Sequence, residues 1–410
     1  MNPPRPSSHR FLFYSHDGMG LGHTRRNMAI AAALVELCPQ ALVLLASSTD
    51  DAHRLGLPPR VEVLKLPGLR KTGNDEYESR RLPVPTDEIR ELRASLLQAA
   101  VKSFRPAVVL VDKHPFGARG EFRAGLEWLK EYGGRAVLGL RDILDEPADV
   151  CREWARHRLQ ERIGEFYDRV LVYGERSVFN PITEYGLPQA VERRACFCGY
   201  VVNHDRPNPA SDVPEELRRA CRQGPVVLAT TGGGEDGFAL LETFITAAAG
   251  SPWRGVAIAG PMTPEDDLAL LHAQAARAGV LLHPFIPRLP TLFGSLEALV
   301  CMGGYNTLAE AAMHGVPTVC VPRVAPRSEQ LIRARAFERL GLLSLLHPRE
   351  LDPASLGAAI GAMRATPRTV VRERVDGSLN FDGARVAAEE LLALASAGSP
   401  ASAALTLAAR

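Results

Sequence analysis

A pair of glycines followed by a polar segment is the most chemically informative pattern in this sequence. Gly303 and Gly304 follow an apolar strand and lead into Asn306, Thr307 and Glu310. Glycine lets a backbone approach a ligand closely, and we predict that Asn306 caps a helix that begins there. The N–H groups and positive dipole end of a new helix attract phosphate. Glu310, predicted in the first turn, could accept hydrogen bonds from hydroxyl groups; the alternative is an ordinary strand–helix–strand unit in which it only complements the dipole.

A second turn rich in small residues follows another predicted strand of the same half. It contains Thr231, Gly232, Gly233 and Gly234. Backbone N–H groups in such a turn can cradle a diphosphate, although a plain turn is the alternative. The turn has no Walker lysine, which argues against an ATP-hydrolysing P-loop. Further along, Arg323 and Gln330 could contact phosphate or sugar, or they could be solvated loop residues.

The first half offers a candidate general base in a third glycine turn. Gly20 and Gly22 precede His23, which stands at the predicted start of a helix. A neutral imidazole can take a hydroxyl proton near pH 7; the alternative is a histidine that only caps or hydrogen-bonds. The glycine spacing is not that of a dinucleotide fingerprint. Asp112, at the end of another predicted strand, could orient His23, act as the base itself, or be structural.

The elements that must position these residues alternate between short Val- and Leu-rich strands and helices. Strands are predicted at 10–15, 41–46, 61–66, 107–112, 135–140, 169–173, 226–230, 256–259, 280–283, 298–301 and 318–321. Such alternation indicates an α/β fold with parallel sheets, whose ligands bind beyond the carboxyl ends of the strands. One helix is expected to start with Thr263 as N-cap and Pro264 in the first helical position. The predicted domains are 1–200 and 201–380, followed by a C-terminal helix at 381–396.

Composition limits the function classes. The chain has 410 residues, 46% hydrophobic and 23% charged, with a net charge of +1. This balance gives no electrostatic reason to expect a nucleic acid or an anionic membrane as partner. No apolar run reaches the ~18–20 residues of a transmembrane segment. The seven cysteines are scattered, which favours a reducing cytoplasm, and no spacing such as HExxH or Asp-x-Asp predicts a metal site or cofactor.

Taken together, the motifs of the second half resemble the nucleotide-sugar site of GT-B glycosyltransferases. They are Gly303-Gly304-x-Asn306-Thr307-x-x-Glu310, Gly315-x-Pro317, Pro322-Arg323 and Glu329-Gln330. The closest type is the family of the bacterial lipid II N-acetylglucosaminyltransferase, whose glycine loop and histidine are similar to Gly20-Leu21-Gly22-His23. The resemblance implies two Rossmann-like domains that face each other across a cleft. It also implies that the C-terminal helix crosses back onto the first domain.

The same resemblance implies roles for individual residues. The donor diphosphate would meet residues 232–234, the ribose diol would meet Glu310, and the donor sugar would meet Gln330. The family is inverting and independent of metal. It takes a nucleotide-sugar, most often UDP-linked, to the hydroxyl of a small-molecule or lipid-linked acceptor, and in this chain His23 would be the general base.

Two features depart from that family. The segment from Gly20 to Arg26 equally resembles the UDP-sugar hydrolase of pseudaminic acid biosynthesis, which has Gly-x-Gly-His-x-x-Arg. Residues 67–85 form a charged segment without an evident counterpart, and we predict a mobile loop there. The predicted function is therefore an inverting glycosyltransferase. A nucleotide-sugar hydrolase or epimerase that uses the same donor site is the alternative, and a non-catalytic nucleotide-sugar-binding protein is a third hypothesis.

Overall fold

A computed structural model of the protein describes five stretches of the chain, residues 7–15, 22–49, 57–73, 76–202 and 213–397. The chain divides into two compact units. The first contains residues 1–202 and 380–410, and the second contains residues 203–379. These limits differ by two residues or fewer from the domain boundaries expected between 200 and 201 and between 380 and 381.

The first unit is built on a parallel sheet with a separate hairpin. Its strands are β1 (Ser7–Ser15), β2 (Leu42–Ser47), β3 (Val61–Lys65), β4 (Leu69–Gly73), β5 (Glu76–Ser79), β6 (Pro106–Asp112), β7 (Arg135–Arg141), β8 (Arg169–Tyr173) and β9 (Ala195–Phe197). In the described residues, seven of them form a sheet in the order β3-β2-β1-β6-β7-β8-β9. Strand β6 is buried along its whole length, as expected of a central parallel strand covered by helices on both faces.

Helices cover both faces of that sheet. They are α1 (Gly22–Leu37), α2 (Thr86–Phe104), α3 (Arg123–Glu131), α4 (Pro147–Arg156), α5 (Leu159–Phe166), α6 (Pro181–Glu184) and α7 (Gln189–Glu192), with a 3₁₀ turn at Ala118–Gly120. A last helix, which we number α15 (Gly383–Ala397), packs against α1. The backbone N–H of Tyr200 donates to the carbonyl of Asn380 at 2.7 Å, so the chain leaves and re-enters this unit at neighbouring points.

The second unit repeats the same architecture. Its strands are β10 (Val226–Thr230), β11 (Arg254–Ile258), β12 (Leu281–His283), β13 (Ala298–Cys301), β14 (Thr318–Cys320) and β15 (Ser344–Leu345), and within the described residues they form a sheet in the order β12-β11-β10-β13-β14-β15. Its helices are α8 (Glu215–Gln223), α9 (Phe238–Ala248), α10 (Glu265–Ala278), α11 (Tyr305–Met313), α12 (Glu329–Arg339), α13 (Pro353–Arg364) and α14 (Arg368–Asp376). Two 3₁₀ segments lie at Leu289–Ser295 and Pro348–Glu350. The α/β prediction with parallel sheets in two domains is confirmed.

Each predicted strand overlaps a strand of the structure, but short elements were missed. Strands β9 and β15 lie at the ends of their sheets and are only three and two residues long. The segment predicted as a mobile loop contains the antiparallel hairpin β4–β5. Its side chains Leu69 and Tyr77 are buried in a small cluster with Ile89 and Ala118, a contact with α2 and the 3₁₀ turn that local charge could not reveal.

Two helix starts were predicted wrongly. Asn306 is not an N-cap, because α11 begins at Tyr305 with Gly304 at the cap position. Burial of the Tyr305 ring, only 5% exposed, draws the chain into the helix before Asn306. Thr263 is not an N-cap either; Pro264 occupies that position before α10. The hydroxyl of Thr263 instead donates to the carbonyl of Gly234 at 3.4 Å, a tertiary contact that local helix signals could not predict.

Candidate active site

His23 and Asp112 meet at the carboxyl edge of the first sheet. His23 is the second residue of α1, and Asp112 is the last residue of β6. Strand β1, which precedes α1, pairs with β6 so that Ser15 lies beside Asp112. This register brings the start of the helix over the end of the neighbouring strand. The Nδ1 atom of His23 lies 2.9 Å from the Oδ2 atom of Asp112.

The structure adds Arg26, which the sequence analysis did not select as a site residue. Its Nη2 atom lies 2.9 Å from Oδ1 and 2.6 Å from Oδ2 of Asp112, and 2.9 Å from Nδ1 of His23. On its other side the guanidinium packs over the Tyr173 ring, with 5.1 Å to the ring centroid. The signal available in the sequence was the spacing of three residues from His23, which puts both side chains on one face of a helix.

Electrostatics favour an ionised Asp112. Burial by itself would raise the pKa of this carboxyl, but the charge of Arg26 and the contact with His23 outweigh burial and hold the pKa well below its usual range. The side chain is fully buried. Both oxygens accept hydrogen bonds, so this geometry favours the orienting role for Asp112 over that of a base in direct contact with substrate.

The partners of His23 also assign its protonated nitrogen. A carboxylate can only accept and a guanidinium can only donate, so Asp112 and Arg26 make opposite demands on Nδ1. Because the shorter contact of Arg26 is with Asp112, at 2.6 Å against 2.9 Å to Nδ1, we assign the hydrogen of the contact with Asp112 to Nδ1. The proton-accepting nitrogen is then Nε2. Gly22, which directly precedes His23 in the sequence, is the first residue of α1. Gly20 lies outside the described residues.

In the second unit, two glycine turns leave the same edge of the sheet. Strands β10 and β13 are neighbours, with Thr230 in register with Cys301. The turns that follow these strands contain the candidate phosphate-binding glycines, so the register brings both turns to one place. Cys301 also lies in register with Cys320 at the end of β14. The segment that leads from β14 to Arg323 therefore leaves the same edge of the sheet.

The turn after β10 requires glycine in specific places. Gly232 and Gly234 have φ values of 72° and 99°, in the left-handed region that favours glycine. A Cβ atom on Gly234 would overlap the side chain of Thr263, whereas Gly232 has open space around its Cα. The backbone of Gly233 accepts a hydrogen bond from the N–H of Met262 at 2.8 Å. Thr231 donates its hydroxyl to the carbonyl of Ala259, so its side chain holds the turn in place.

A buried arginine donates a hydrogen bond to the turn after β13. Gly303 has a φ of 83°, and a Cβ there would lie 3.0 Å from the sulfur of Cys320. Arg333, from α12, is 1% exposed and donates to the carbonyl of Gly303 at 3.0 Å. Its guanidinium lies 5.8 Å from the centroid of the Tyr305 ring. Arg333 was missed because its contact with the turn depends on how α12 packs, which no local pattern in α12 indicates.

Helix α11 begins beside this turn. Gly304 occupies the cap position and has no side chain with which to bond the first helical N–H groups. Asn306 and Thr307, both half-buried, lie in the first turn. Glu310 was predicted in the first turn but is the sixth residue of the helix, because the helix starts earlier than expected. It is 4% exposed.

Arg323 is held by two carboxylates. Its Nη1 atom lies 3.1 Å from Asp236, in the turn after β10, and its Nη2 atom lies 2.7 Å from Glu329. The side-chain oxygen of Gln330 accepts the backbone N–H of Arg323 at 3.0 Å. Partial burial would lower the pKa of Arg323, but Glu329 and Asp236 outweigh it and raise the pKa above its usual value. The structure therefore links Arg323, as an ion-paired cation, to the turn after β10 and to the start of α12, and Asp236 is a further site residue that local sequence did not indicate.

Comparison with known proteins agrees with this architecture. Residues 264–387 match the glycosyltransferase family 28 C-terminal domain. The UDP-N-acetylglucosamine–N-acetylmuramyl-(pentapeptide) pyrophosphoryl-undecaprenol N-acetylglucosamine transferase of Desulforudis audaxviator is 30% identical over 100 residues, which are 24% of this chain and 27% of that enzyme. The enzyme of the same name from Mycobacterium bovis (strain BCG / Pasteur 1173P2) is 25% identical over 367 residues, 88% of this chain and 83% of that enzyme.

Solved structures show the fold. The crystal structure of MurG from Acinetobacter baumannii aligns with 96% of this chain and 99% of its own, at a TM-score of 0.57 and 15% identity. Two α/β units with parallel sheets, matched over nearly the whole chain, define the GT-B fold of glycosyltransferases. The chain therefore has the fold of these glycosyltransferases. The stretch that matches the family 28 C-terminal domain lies almost entirely in the second unit, and the resemblance to the lipid II N-acetylglucosaminyltransferase family is confirmed.

Proposed function

We propose that the protein is an inverting glycosyltransferase that moves a sugar from a UDP-linked donor to an acceptor hydroxyl without a metal ion. The observation that carries the proposal is the contact between His23 and Asp112, 2.9 Å from Nδ1 to Oδ2. This contact directs the lone pair of Nε2 away from the carboxylate. A histidine held in this way is equipped to remove a proton from a hydroxyl group.

In the proposed reaction, Nε2 of His23 takes the proton of the acceptor hydroxyl. The acceptor oxygen forms a bond to the anomeric carbon while the bond from that carbon to the diphosphate breaks, so the configuration is inverted. Asp112 stabilises the imidazolium that forms. In the second unit, N–H groups of the two glycine turns and of the start of α11 would receive the diphosphate charge, which is stabilisation at the place where charge develops.

The proposal assigns the remaining donor contacts to residues of the second unit. Glu310 would accept hydrogen bonds from the ribose hydroxyls, and Gln330 would contact the sugar. The names of the relatives support a UDP-linked donor and a lipid-linked acceptor, because both substrates are stated in them; a small-molecule acceptor remains part of the proposal. A cytoplasmic location is also proposed, since all seven cysteines are free thiols.

A nucleotide-sugar hydrolase or epimerase is the second candidate, and the contact between His23 and Arg26 favours keeping it. The same pair, three residues apart, belongs to the motif of the UDP-sugar hydrolase that the loop resembles. In a hydrolase the same imidazole would activate water. The two functions differ in what the protein does with donor alone.

The deciding experiment measures UDP release from a panel of UDP-sugars, with and without candidate acceptors. A transferase excludes water until an acceptor is bound, so UDP release should be slow and should depend strongly on acceptor. His23→Ala should lower turnover by about 10²–10⁴-fold and leave donor affinity nearly intact. His157→Ala, at an exposed histidine after α4, is the matched control. Rapid release of free sugar in the absence of acceptor would favour the hydrolase, and full activity of His23→Ala would defeat both functions.

A further inference from the structure

We propose that Arg26 is a positioning residue for the base: it holds Asp112 as a carboxylate and so keeps the hydrogen of His23 on Nδ1. The inference rests on the proposed role of His23. It goes beyond that role because it assigns a task to a side chain that would touch neither donor nor acceptor. Arg26, Asp112 and His23 are in mutual contact, and the two contacts between Arg26 and Asp112 are buried.

The first step is the burial of Asp112. The Asp112 side chain is 0% exposed and that of Arg26 only 1%. A carboxylate removed from water without a counter-charge takes up a proton instead of staying ionised. Arg26 supplies the counter-charge, with Nη2 at 2.9 and 2.6 Å from the two carboxylate oxygens.

The charge state of Asp112 decides which nitrogen of His23 carries the hydrogen. If Asp112 were neutral, its O–H group could donate to Nδ1 of His23 across the same 2.9 Å contact. Nδ1 would then be the acceptor, and the hydrogen of the neutral imidazole would move to Nε2. An Nε2 that carries a hydrogen cannot take the proton of a hydroxyl. Loss of the Arg26 charge would therefore exchange the donor and acceptor nitrogens of the imidazole without removing any atom of His23.

The third step concerns the direct contact of Arg26 with His23. The same Nη2 atom lies 2.9 Å from Nδ1 and 2.6 Å from Oδ2. Its shorter contact is with the carboxylate, so its hydrogen bonds go to Asp112.

The surroundings fix the guanidinium in this place. The Tyr173 ring packs under Arg26 at 5.1 Å, a cation–π contact of the kind that strengthens when water is excluded. Gly139, in register with Asp112 on the next strand, leaves the room for that ring, since a Cβ there would overlap Tyr173. The sheet and the Tyr173 ring thus hold the planar guanidinium of Arg26 beside Asp112.

The test reads the tautomer of His23 directly. In protein labelled with ¹⁵N-histidine, two-bond nitrogen–hydrogen couplings report which ring nitrogen carries the hydrogen, and the His23 signals are identified by their loss in His23→Gln. Wild type should show hydrogen on Nδ1. Arg26→Met should shift it towards Nε2, while Arg26→Lys, which keeps the charge, should retain the wild-type pattern. Arg25→Met, at the adjacent half-buried arginine, is the control and should change nothing.

Kinetics provide a second readout. Arg26→Met should lower kcat by about 10–100-fold, less than the usual contribution of a general base of about 10²–10⁴-fold, and change the donor KM by less than twofold. Arg26→Lys should recover most of the lost kcat. If Arg26→Met does not fold, Arg26→Gln carries the same test with a neutral polar chain. A wild-type tautomer in the neutral variant, or a shifted tautomer in a folded Arg26→Lys, would overturn the inference. The tautomer is measured without turnover, so failure here is distinct from failure of the proposed function, which would appear as activity in His23→Ala.

Discussion

Arg323 and Asp236 form an ion pair, 3.1 Å from Nη1 to Oδ2, that connects two segments 87 residues apart in the chain. Asp236 belongs to the turn after β10, and Arg323 follows β14. The second carboxylate on Arg323, from Glu329, is 2.7 Å away. In this arrangement two negative charges face the cation that the sequence offered as a phosphate ligand. A bound diphosphate would compete with Asp236, the more exposed of the two acids.

This competition predicts that Asp236→Asn strengthens the binding of UDP. The change removes one negative charge and leaves Arg323 more available to phosphate. Because exposed ion pairs are worth ~0.2–1 kcal/mol, affinity should rise by at most about fivefold in calorimetry. Glu235→Gln, at the neighbouring exposed acid, is the control for general charge effects. Weaker UDP binding by Asp236→Asn alone would mean that Asp236 itself contributes to the site.

Glu310→Ala should weaken the binding of free UDP and of the intact nucleotide-sugar alike. The carboxylate is buried in the second turn of α11, where the proposal has it accept hydrogen bonds from the ribose. Hydrogen bonds to charged groups contribute ~1.5–3 kcal/mol, so affinity should fall by an order of magnitude or more. Glu310→Gln should fall less, since it keeps an acceptor oxygen. Unchanged UDP affinity in a folded Glu310→Ala would remove Glu310 from the donor site.

Activity should survive treatment with EDTA. Within the described residues, no group of three or more His, Cys, Asp or Glu side chains is arranged to hold a metal ion. In the proposed mechanism, backbone N–H groups and the start of α11 stabilise the charge of the diphosphate. Turnover that disappears on chelation and returns with Mg²⁺ or Mn²⁺ would contradict it.

The hairpin β4–β5 should exchange its amide hydrogens unevenly. Its base is fixed, because the buried Arg93 donates to the carbonyl of Pro67 at 2.5 Å and pairs with Glu121 at 2.6 Å. We therefore expect slow exchange near Leu69 and faster exchange in residues 71–73, which should slow when acceptor binds. Equal exchange in residues 71–73 with and without acceptor would show that the hairpin takes no part in acceptor binding.

Arg93→Met extends this prediction. Removing one partner of a buried ion pair leaves the other charge unpaired and costs ~3–5 kcal/mol. Exchange at the hairpin base should become fast in this variant, while Arg90→Met, at a partly exposed arginine of the same helix, should have no such effect. Slow exchange at the base in Arg93→Met would show that the small apolar cluster is sufficient to hold it.

Stability should depend on the ionisation of Asp112. Its pKa is held below the unfolded value of 3.8, so the folded state binds this proton less readily than the unfolded state. The stabilisation is fully present above that value and declines as pH falls below it. In urea unfolding, the difference between wild type and Asp112→Asn should be largest above about pH 5 and shrink below pH 4. Asp376→Asn, at an exposed acid, should show no such trend.

The sequence by itself determined the alternation of strands and helices and the positions of the glycine turns. These features are local: a short run of β-branched and apolar residues favours a buried strand, and the left-handed backbone at Gly232 and Gly303 favours glycine. The pairing of His23 with Arg26 on one helix face was equally local and could have been read from their spacing.

Only the tertiary structure decided which distant residues meet. His23 and Asp112 are 89 residues apart, and their contact depends on β6 lying beside β1, which strand order determines and periodicity does not. Arg333 reaches Gly303 because α12 packs beneath the turn. Burial of Tyr305 moved the start of α11 ahead of Asn306, because the free energy of covering an aromatic ring exceeds that of a single cap. Long-range packing therefore determined the orientation of each candidate group, although local sequence had supplied the groups themselves.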